Sequence, residues 1–325
     1  MHNTTERSNG VDPVASRRPR VSLGMPVYNG ENLIAEALDC FLAQTFTDFE
    51  LIISDNASDD RTEPICRDYA ARDKRIRYFR NDRNLGAAKN YNRVFELSVG
   101  KYFKWAAADD LCAPEFLRTC VEALEGNPEC VLAFPKTLII NEKGETLREY
   151  EECVHLMTAR PSDRFWQLSC VLRECNAVFG VIRRDVLERT PLIGAYTGAD
   201  NCLLAELSLY GKFFEIPEFL FFRRVHPASY SCNRNTPQEL EFYNPAKHEQ
   251  IIPIRWRRHF ELFRVARRVP LGFPERLRVL YYVLRVGFWT RRLLRQELLT
   301  AAKKIVEICR RKLTRLWASG ARTSR

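Results

Sequence analysis

Lys101-Tyr-Phe-Lys-Trp-Ala-Ala-Ala-Asp-Asp110 runs aromatic and apolar residues into two adjacent carboxylates, and Leu111-Cys-Ala-Pro114 then breaks the run. A buried strand that ends in this way delivers both charges to its tip. Side by side they repel, and one pKa is expected to rise unless a cation sits between them. Hard oxygen ligands at a strand end suit Mg2+ or Mn2+ together with a phosphorylated substrate. A solvated turn that caps the following helix would use the same residue types, so the surrounding chain has to decide.

Upstream, strand-like and helix-like segments alternate. Arg20 to Val27 is a short apolar strand, Tyr28-Asn-Gly30 has turn chemistry, and Glu31 to Ala43 has helical periodicity. Glu50 to Ser54 is a second strand, closed by Asp55-Asn-Ala-Ser-Asp-Asp60 and followed by a helix to about Ala71. Ile76 to Phe79 is a third strand, Asn84-Leu-Gly86 opens a helix to about Val99, and Tyr102 to Ala107 is the fourth strand. Such alternation predicts βαβ units and a mostly parallel sheet. In open sheets of this kind the ligand lies beyond the carboxyl ends of the strands. Polar clusters stand there after three of the first four strands: Tyr28-Asn29, Asp55-Asn56 and Asp109-Asp110. Neither a dinucleotide fingerprint nor a P-loop is present.

Four motifs now stand in register: Pro26-Val-Tyr-Asn29, Asp55-Asn-Ala-Ser-Asp-Asp60, Asn84-Leu-Gly86 followed by Lys89-Asn90, and Ala108-Asp-Asp110. In order and spacing they resemble the donor half of family 2 glycosyltransferases of the GT-A fold, over roughly residues 20–230. The resemblance implies an inverting transferase that uses a nucleotide-diphosphate sugar and a divalent metal, Mg2+ or Mn2+. Tyr28 would pack on the base, with Pro26 and Asn29 shaping the loop. Asp55 would accept a hydrogen bond from the base, which suits a uracil or thymine imide and so a UDP- or dTDP-linked donor. Lys89 stands where the family usually has Arg, facing the diphosphate, but lacks the bidentate fork. Asp109 and Asp110 would hold the metal. Ala107 stands where the family pattern often has a further Asp, which lowers the expected ligand count.

Beyond Pro114, Glu115 to Leu124 reads as an amphipathic helix, Val131 to Ile140 as a strand, and Asn141-Glu-Lys-Gly144 as a hairpin-like turn. Residues 145–170 are polar and mixed, as expected of the variable acceptor side. Ala177 to Ile182 reads as a further strand in which Gly180 allows close backbone approach. Gly194-Ala-Tyr-Thr-Gly-Ala-Asp200 then precedes a helical run, Asn201 to Tyr210. By the resemblance Asp200 is the base that deprotonates the acceptor hydroxyl, with Ala199 replacing the usual Glu. An Asp at this place can also simply cap its helix. Glu206 is the fallback base, but it falls inside the helix, where the alternative is a plain surface residue. Phe213 to Pro217 and Phe219 to His226 read as strands, and the family commonly ends its catalytic domain with Arg-x-His. His226 would then ligate the metal or bond the diphosphate, and Ser229 and Ser231 would add phosphate contacts.

The 325 residues carry a net charge of +10, and from Ile251 onward twenty Lys and Arg face four Glu. Residues 251–317 read as helices, either an amphipathic pack with a solvated basic face or an attachment to an anionic membrane surface. No nucleic-acid-binding fold is recognisable. The 11 cysteines form no C-x-x-C pair and fit a reducing compartment. The first residues lack an apolar core, and no run of about 18 apolar residues predicts a membrane span. The chain is expected to divide into a disordered tail, 1–19, a GT-A catalytic domain, 20–234, and a basic helical extension, 235–325. The expected setting is cytoplasmic, with peripheral placement on the inner face of the cell membrane as the alternative. There it would extend a saccharide or lipid-linked glycan acceptor during polysaccharide or lipopolysaccharide assembly. Three rival readings remain: a nucleotidyltransferase, which would release pyrophosphate; a catalytically impaired sugar-nucleotide or glycan-binding protein, which would bind donor without turnover; and an anionic-surface adaptor, which rests only on the basic tail.

Overall fold

Side chains alternate faces along a strand, and the first strands bury both. The computed structural model describes residues 18–151, 153–227 and 253–320. Strand β1 (Val21–Val27) sends Val21, Leu23, Met25 and Val27 to one buried cluster. Helix α1 (Ile34–Leu42) covers that side. In β2 (Phe49–Asp55), Leu51 and Ile53 join the same cluster while Ile52 faces the other. Helix α2 (Thr62–Arg72), β3 (Ile76–Arg80) and α3 (Ala87–Glu96) follow. In β4 (Tyr102–Trp105) the alternation places Tyr102 on the first side and Phe103 and Trp105 on the second. The second side of β1 is small by contrast. A Cβ at Gly24 would lie 2.7 Å from both the Phe103 ring and the Val94 side chain, so glycine lets α3 settle onto the sheet. Gly24→Ala is expected to lower the unfolding free energy by about 1–3 kcal/mol, read as a lower urea midpoint. An unchanged midpoint would mean that Val94 and Phe103 move aside freely.

The remainder runs β5 (Leu111–Cys112), α4 (Phe116–Gly126), β6 (Cys130–Ile140), β7 (Thr146–Tyr150), α5 (Pro161–Val171), β8 (Val181–Arg183), α6 (Arg184–Leu187), α7 (Ala199–Tyr210) and β9 (Lys212–Arg224). Helices α8 (Ile254–Arg268), α9 (Phe273–Trp289) and α10 (Arg291–Gly320) complete it. The strands form one nine-stranded sheet in the order β3-β2-β1-β4-β8-β6-β9-β5, with β7 beside β6. The predicted parallel arrangement holds for β3, β2, β1 and β4 and for the pair β6 and β9. The second half also carries antiparallel pairs: β8 with β4 and β6, β5 with β9, and β7 with β6. The β6–β7 pair is the hairpin expected at Asn141 to Gly144, closed by Gly144 at φ +81°.

Two expectations change. Ala177 to Ile182 is not one strand: Asn176–Phe179 forms a 3-10 turn after left-handed Cys175, and only Val181–Arg183 pairs. A short apolar run suits either conformation when buried. Gly180 does sit against the backbone, where a Cβ would lie 2.6 Å from the Ala133 carbonyl oxygen. The segments expected as two strands around Pro217 are instead one long β9, whose pairing with β6 slips near Pro135 and Lys136.

The boundary expected at 234–235, and Ser229 and Ser231, lie outside the described residues, as does nearly all of the expected N-terminal tail. On the far side of that boundary, Val265, Ala266, Val269, Val279 and Val283 share one buried cluster with Phe103, Trp105 and the inner face of α7. Glu206 of α7, the fallback base, is buried and bound by the guanidinium of Arg268 on α8 through both carboxylate oxygens. It is not a surface residue, and both its oxygens are engaged by Arg268. Arg268→Ala would leave a buried carboxylate unpaired and is expected to cost about 3 kcal/mol, read by urea unfolding. Pairing Arg268→Met with Glu206→Leu should recover most of that loss; no recovery would mean the ion pair is not what the helix packing depends on. No described helix is long and apolar enough to cross a membrane.

Candidate active site

The loops after β1 and β2 are tied to each other by side chains. Asn29, at φ +52°, receives the Asp59 N–H on Oδ1 and donates its own N–H to Ser58 Oγ. The Gly30 N–H goes to Thr62 Oγ1, and the Glu31 N–H to Asp60. Pro26 pairs opposite Ser54, past the last rung that β1 shares with β4, where a missing N–H costs no ladder bond. Tyr28 emerges from this loop half-exposed at the sheet edge, free to present a ring face.

Asp55 is engaged by its own chain. It is fully buried. Oδ1 takes the N–H and hydroxyl of Ser58, and Oδ2 takes the hydroxyl of Tyr78 at 2.7 Å and the guanidinium of Arg80 at 2.8 Å. A carboxylate offers about four acceptor positions, and the chain fills them. A base imide reaches Asp55 directly only if one of these donors yields. Beneath it lies a knot of amides the sequence did not signal as such. Asn56 accepts from Leu85 N–H and Asn81, and donates to Asn84. Asn90 accepts from Ser54 and Asn81 and donates to the Ser54 carbonyl. The motif around Asn84 and Asn90 therefore fixes loops to one another, while Lys89 between them is exposed on α3.

At the tip of β4, Asp109 and Asp110 separate in role. Asp110 is buried, and its Oδ1 accepts the backbone N–H of Arg224 at 2.8 Å. Burial first, then the charge of Asp109, pushes its carboxyl up to about 7, the rise expected of paired acids with no cation between them. Asp109 is about one-third exposed, and its Oδ2 lies 3.0 Å from His226 Nε2. That hydrogen bond raises the imidazole above its usual value. Arg224, itself buried, binds the Asp109 carbonyl, the Glu142 carbonyl and the Glu36 carboxylate, so it locks the β4 tip to β9 and α1. A cavity of about 370 Å³ opens beside His226, lined by Asn141, Glu142, Lys143, Val225 and Pro227.

Among the described residues no three His, Cys, Asp or Glu side chains converge as a self-sufficient metal cage. Of the three expected ligands, Asp109 and His226 are hydrogen-bonded to each other, and Asp110 accepts the Arg224 N–H on one oxygen. Two protein ligands fit a divalent ion of the kind that takes its remaining oxygens from substrate phosphates.

Asp200 lies in the first turn of α7, but Gly198 occupies the cap at φ +77°. The simple capping alternative therefore does not describe it, although its Oδ1 accepts the adjacent Asn201 N–H. The loop leading to it is fastened at both ends. Asn92 on α3 grips Ile193 through paired bonds of 3.0 Å to its N–H and carbonyl. Arg258 on α8 packs against Gly198, where a Cβ would come within 2.8 Å of it.

Tyr91 joins the two halves. Its backbone carbonyl accepts the Trp105 indole N–H at 2.9 Å. Its phenol is raised by burial and then by the negative charges of Asp109, Asp110 and Asp200, so all three carboxylates lie within electrostatic reach of one hydroxyl. Tyr91 was not singled out in the sequence. Its signal was its place directly after Lys89-Asn90, on the same helix.

The profile described as Glycosyl transferase family 2 matches residues 22–190. An uncharacterized glycosyltransferase of Methanocaldococcus jannaschii is 33% identical over 136 residues, 41% of this chain and 47% of that protein. The putative glycosyltransferase EpsE of Bacillus subtilis is 33% identical over 127 residues, 39% of this chain and 46% of that one. The chain thus spans under half the length of these curated relatives. Among solved structures, S. aureus TarS 1–349 in complex with UDP superposes with a TM-score of 0.61 at 14% identity, over 83% of this chain and 72% of that one. The mannosyltransferase PcManGT from Pyrobaculum calidifontis, in complex with GDP-Man and Mn2+, superposes with a TM-score of 0.54 at 19% identity, over 90% and 78%. At these identities the superpositions establish a shared GT-A-type fold.

Proposed function

The chain belongs to glycosyl transferase family 2, and from that premise we propose that it moves a sugar, with inversion, from a nucleoside-diphosphate sugar to an acceptor hydroxyl. The observation that carries the reading is the acidic pair that follows β4, where Asp109 meets His226 and Asp110 is held by the Arg224 N–H, with Asp200 on the separate loop that opens α7. One pair of carboxylates serves the leaving diphosphate and a separate one serves the acceptor. The likeness to structures holding UDP and GDP-Man supports a nucleotide-sugar donor. We retain a UDP- or dTDP-linked donor as the preferred class.

Tyr28 seats the nucleotide base with its exposed ring, and Pro26 and Asn29 hold the loop that presents it. Asp55 acts on the base pocket through the residues it holds, Ser58, Tyr78 and Arg80, because its own acceptor positions are engaged. Lys89 supplies a positive charge on the diphosphate side. When bound, a Mg2+ or Mn2+ ion held by Asp109 and His226 would neutralise charge on the departing diphosphate. Asp110 and Arg224 keep Asp109 oriented. Asp200 takes the proton of the acceptor hydroxyl as that oxygen attacks in line with the departing diphosphate. The acceptor we infer is a saccharide or lipid-linked glycan, handled at the cytoplasmic face of the membrane during cell-surface polysaccharide or lipopolysaccharide assembly.

Nucleoside-diphosphate release tests this reading. Purified protein is incubated with a panel of nucleotide sugars and Mn2+ or Mg2+, with chelated controls. Metal-dependent release from one donor is expected, with water as a slow surrogate acceptor. Pyrophosphate instead of nucleoside diphosphate would establish a nucleotidyltransferase. Donor binding in calorimetry with no release, even when glycan acceptors are supplied, would establish a binding protein.

A further inference from the structure

Helix α9 has two apolar sides. Val279 and Val283 are fully buried against the body of the protein. At about 100° per residue, Phe273, Leu277, Tyr281, Leu284 and Phe288 fall on the opposite side of the helix. These five are 73, 51, 57, 59 and 63% exposed, so the stripe is not a part of the core that the helix partly covers. Leu293 adds an exposed apolar residue at the start of α10, whereas Trp289 lies on another side of α9, its ring 5.0 Å from that of Trp166. Single exposed apolar residues are ordinary on a protein surface, but a continuous row of this length marks a contact surface.

The charges beside the row indicate what it contacts. Arg278 and Arg285 flank the row, and Arg291, Arg292 and Arg295 follow its end. The Arg291 guanidinium lies 4.1 Å from the Phe288 ring centroid, and that of Arg285 lies 5.0 Å from the Trp289 ring. From Phe273 to the C-terminus, fourteen Lys and Arg face three Glu, whereas the preceding residues hold thirty-seven against thirty-eight. The positive charge of the whole protein therefore resides in the segment that carries the row. A second copy meeting this face would set like charges against each other. Aromatic and aliphatic residues in one row, edged by arginines, match an interface whose apolar interior lies beneath phosphate groups.

We propose that the exposed face of α9, with the start of α10, docks on the surface of an anionic phospholipid bilayer. The row enters the boundary between headgroups and acyl chains, and the arginines meet the lipid phosphates. The helix lies on the surface and does not cross it. Through α8 the docked face is joined to the loop that bears Asp200: the Arg257 guanidinium sits 5.1 Å from the Tyr196 ring, and Arg258 backs Gly198. Docking does not depend on the identity of donor or acceptor and is measurable without turnover.

Flotation of the full chain with phosphatidylcholine vesicles, with and without phosphatidylglycerol, tests it. The protein is expected to float with the phosphatidylglycerol vesicles and at least about tenfold less with phosphatidylcholine alone. Sodium chloride at about 1 M should release it. The triple variant Leu277→Ser, Leu284→Ser, Phe288→Ser is expected to lose at least about tenfold in vesicle partitioning, with unchanged circular dichroism. A second variant, Phe273→Ser with Tyr281→Ser, should lose binding in the same direction and guards against a folding defect in the first. Absence of flotation with anionic vesicles would overturn the proposal, as would equal flotation of wild type and both variants. A concentration-dependent dimer that both variants dissolve, without vesicle binding by the wild type, would assign the row to a second copy.

Discussion

Asp109→Ala is expected to lower nucleoside-diphosphate release by about a thousandfold or more, with a compensating rise in the Mn2+ concentration needed for half-maximal rate. Asp109 is the exposed member of the acidic pair and the one that meets His226. The substitution removes a carboxylate but keeps the backbone carbonyl that receives Arg224, so the anchoring of the β4 tip to β9 survives. His226→Ala should act in the same direction with a smaller effect, since the carboxylate charge remains. A variant at Asp109 with near wild-type turnover and unchanged metal dependence would remove the diphosphate side of the mechanism from this loop.

The second large effect is expected at Asp200. Asp200→Asn should reduce glycosyl transfer by about 10²- to 10⁴-fold while donor affinity in calorimetry stays within about twofold. Asparagine keeps the oxygen that receives the Asn201 N–H, and Gly198 rather than Asp200 caps the helix, so the loop is expected to keep its shape. The contrast between an intact donor site and a lost transfer step separates a base from a structural acid. Loss of donor affinity together with turnover would instead place Asp200 on the donor side, and full activity would remove its role.

The parts of this site that were legible in the sequence are those fixed by local chemistry. Tyr102 to Ala107 declares a strand by apolar density; β4 ends at Trp105, and Asp109-Asp110 follow after only the three alanines 106–108. The loops at Asn29 and Asp55 announce themselves through turn residues that then bond each other. What was not legible depends on partners distant in sequence. Asp55 reads as an open acceptor until Tyr78 and Arg80 on β3 are brought beside it. Glu206 reads as a helix surface residue until Arg268 arrives, sixty-two positions later. Ala177 to Phe179 is apolar enough for a strand, but the left-handed turn at Cys175 redirects it. Tyr91 carries no motif signature of its own. Its relation to Asp109, Asp110 and Asp200 exists only once α3, β4 and α7 share one edge.

The most direct test of the in-line displacement is the anomeric configuration of the first sugar released. Proton NMR would follow hydrolysis or transfer from the donor that the release panel identifies, early enough to precede mutarotation. Asp200 as the sole base on the face opposite the diphosphate predicts that the first-formed product carries the configuration opposite to the donor. Retention of the donor configuration would contradict that mechanism and require a different role for Asp200.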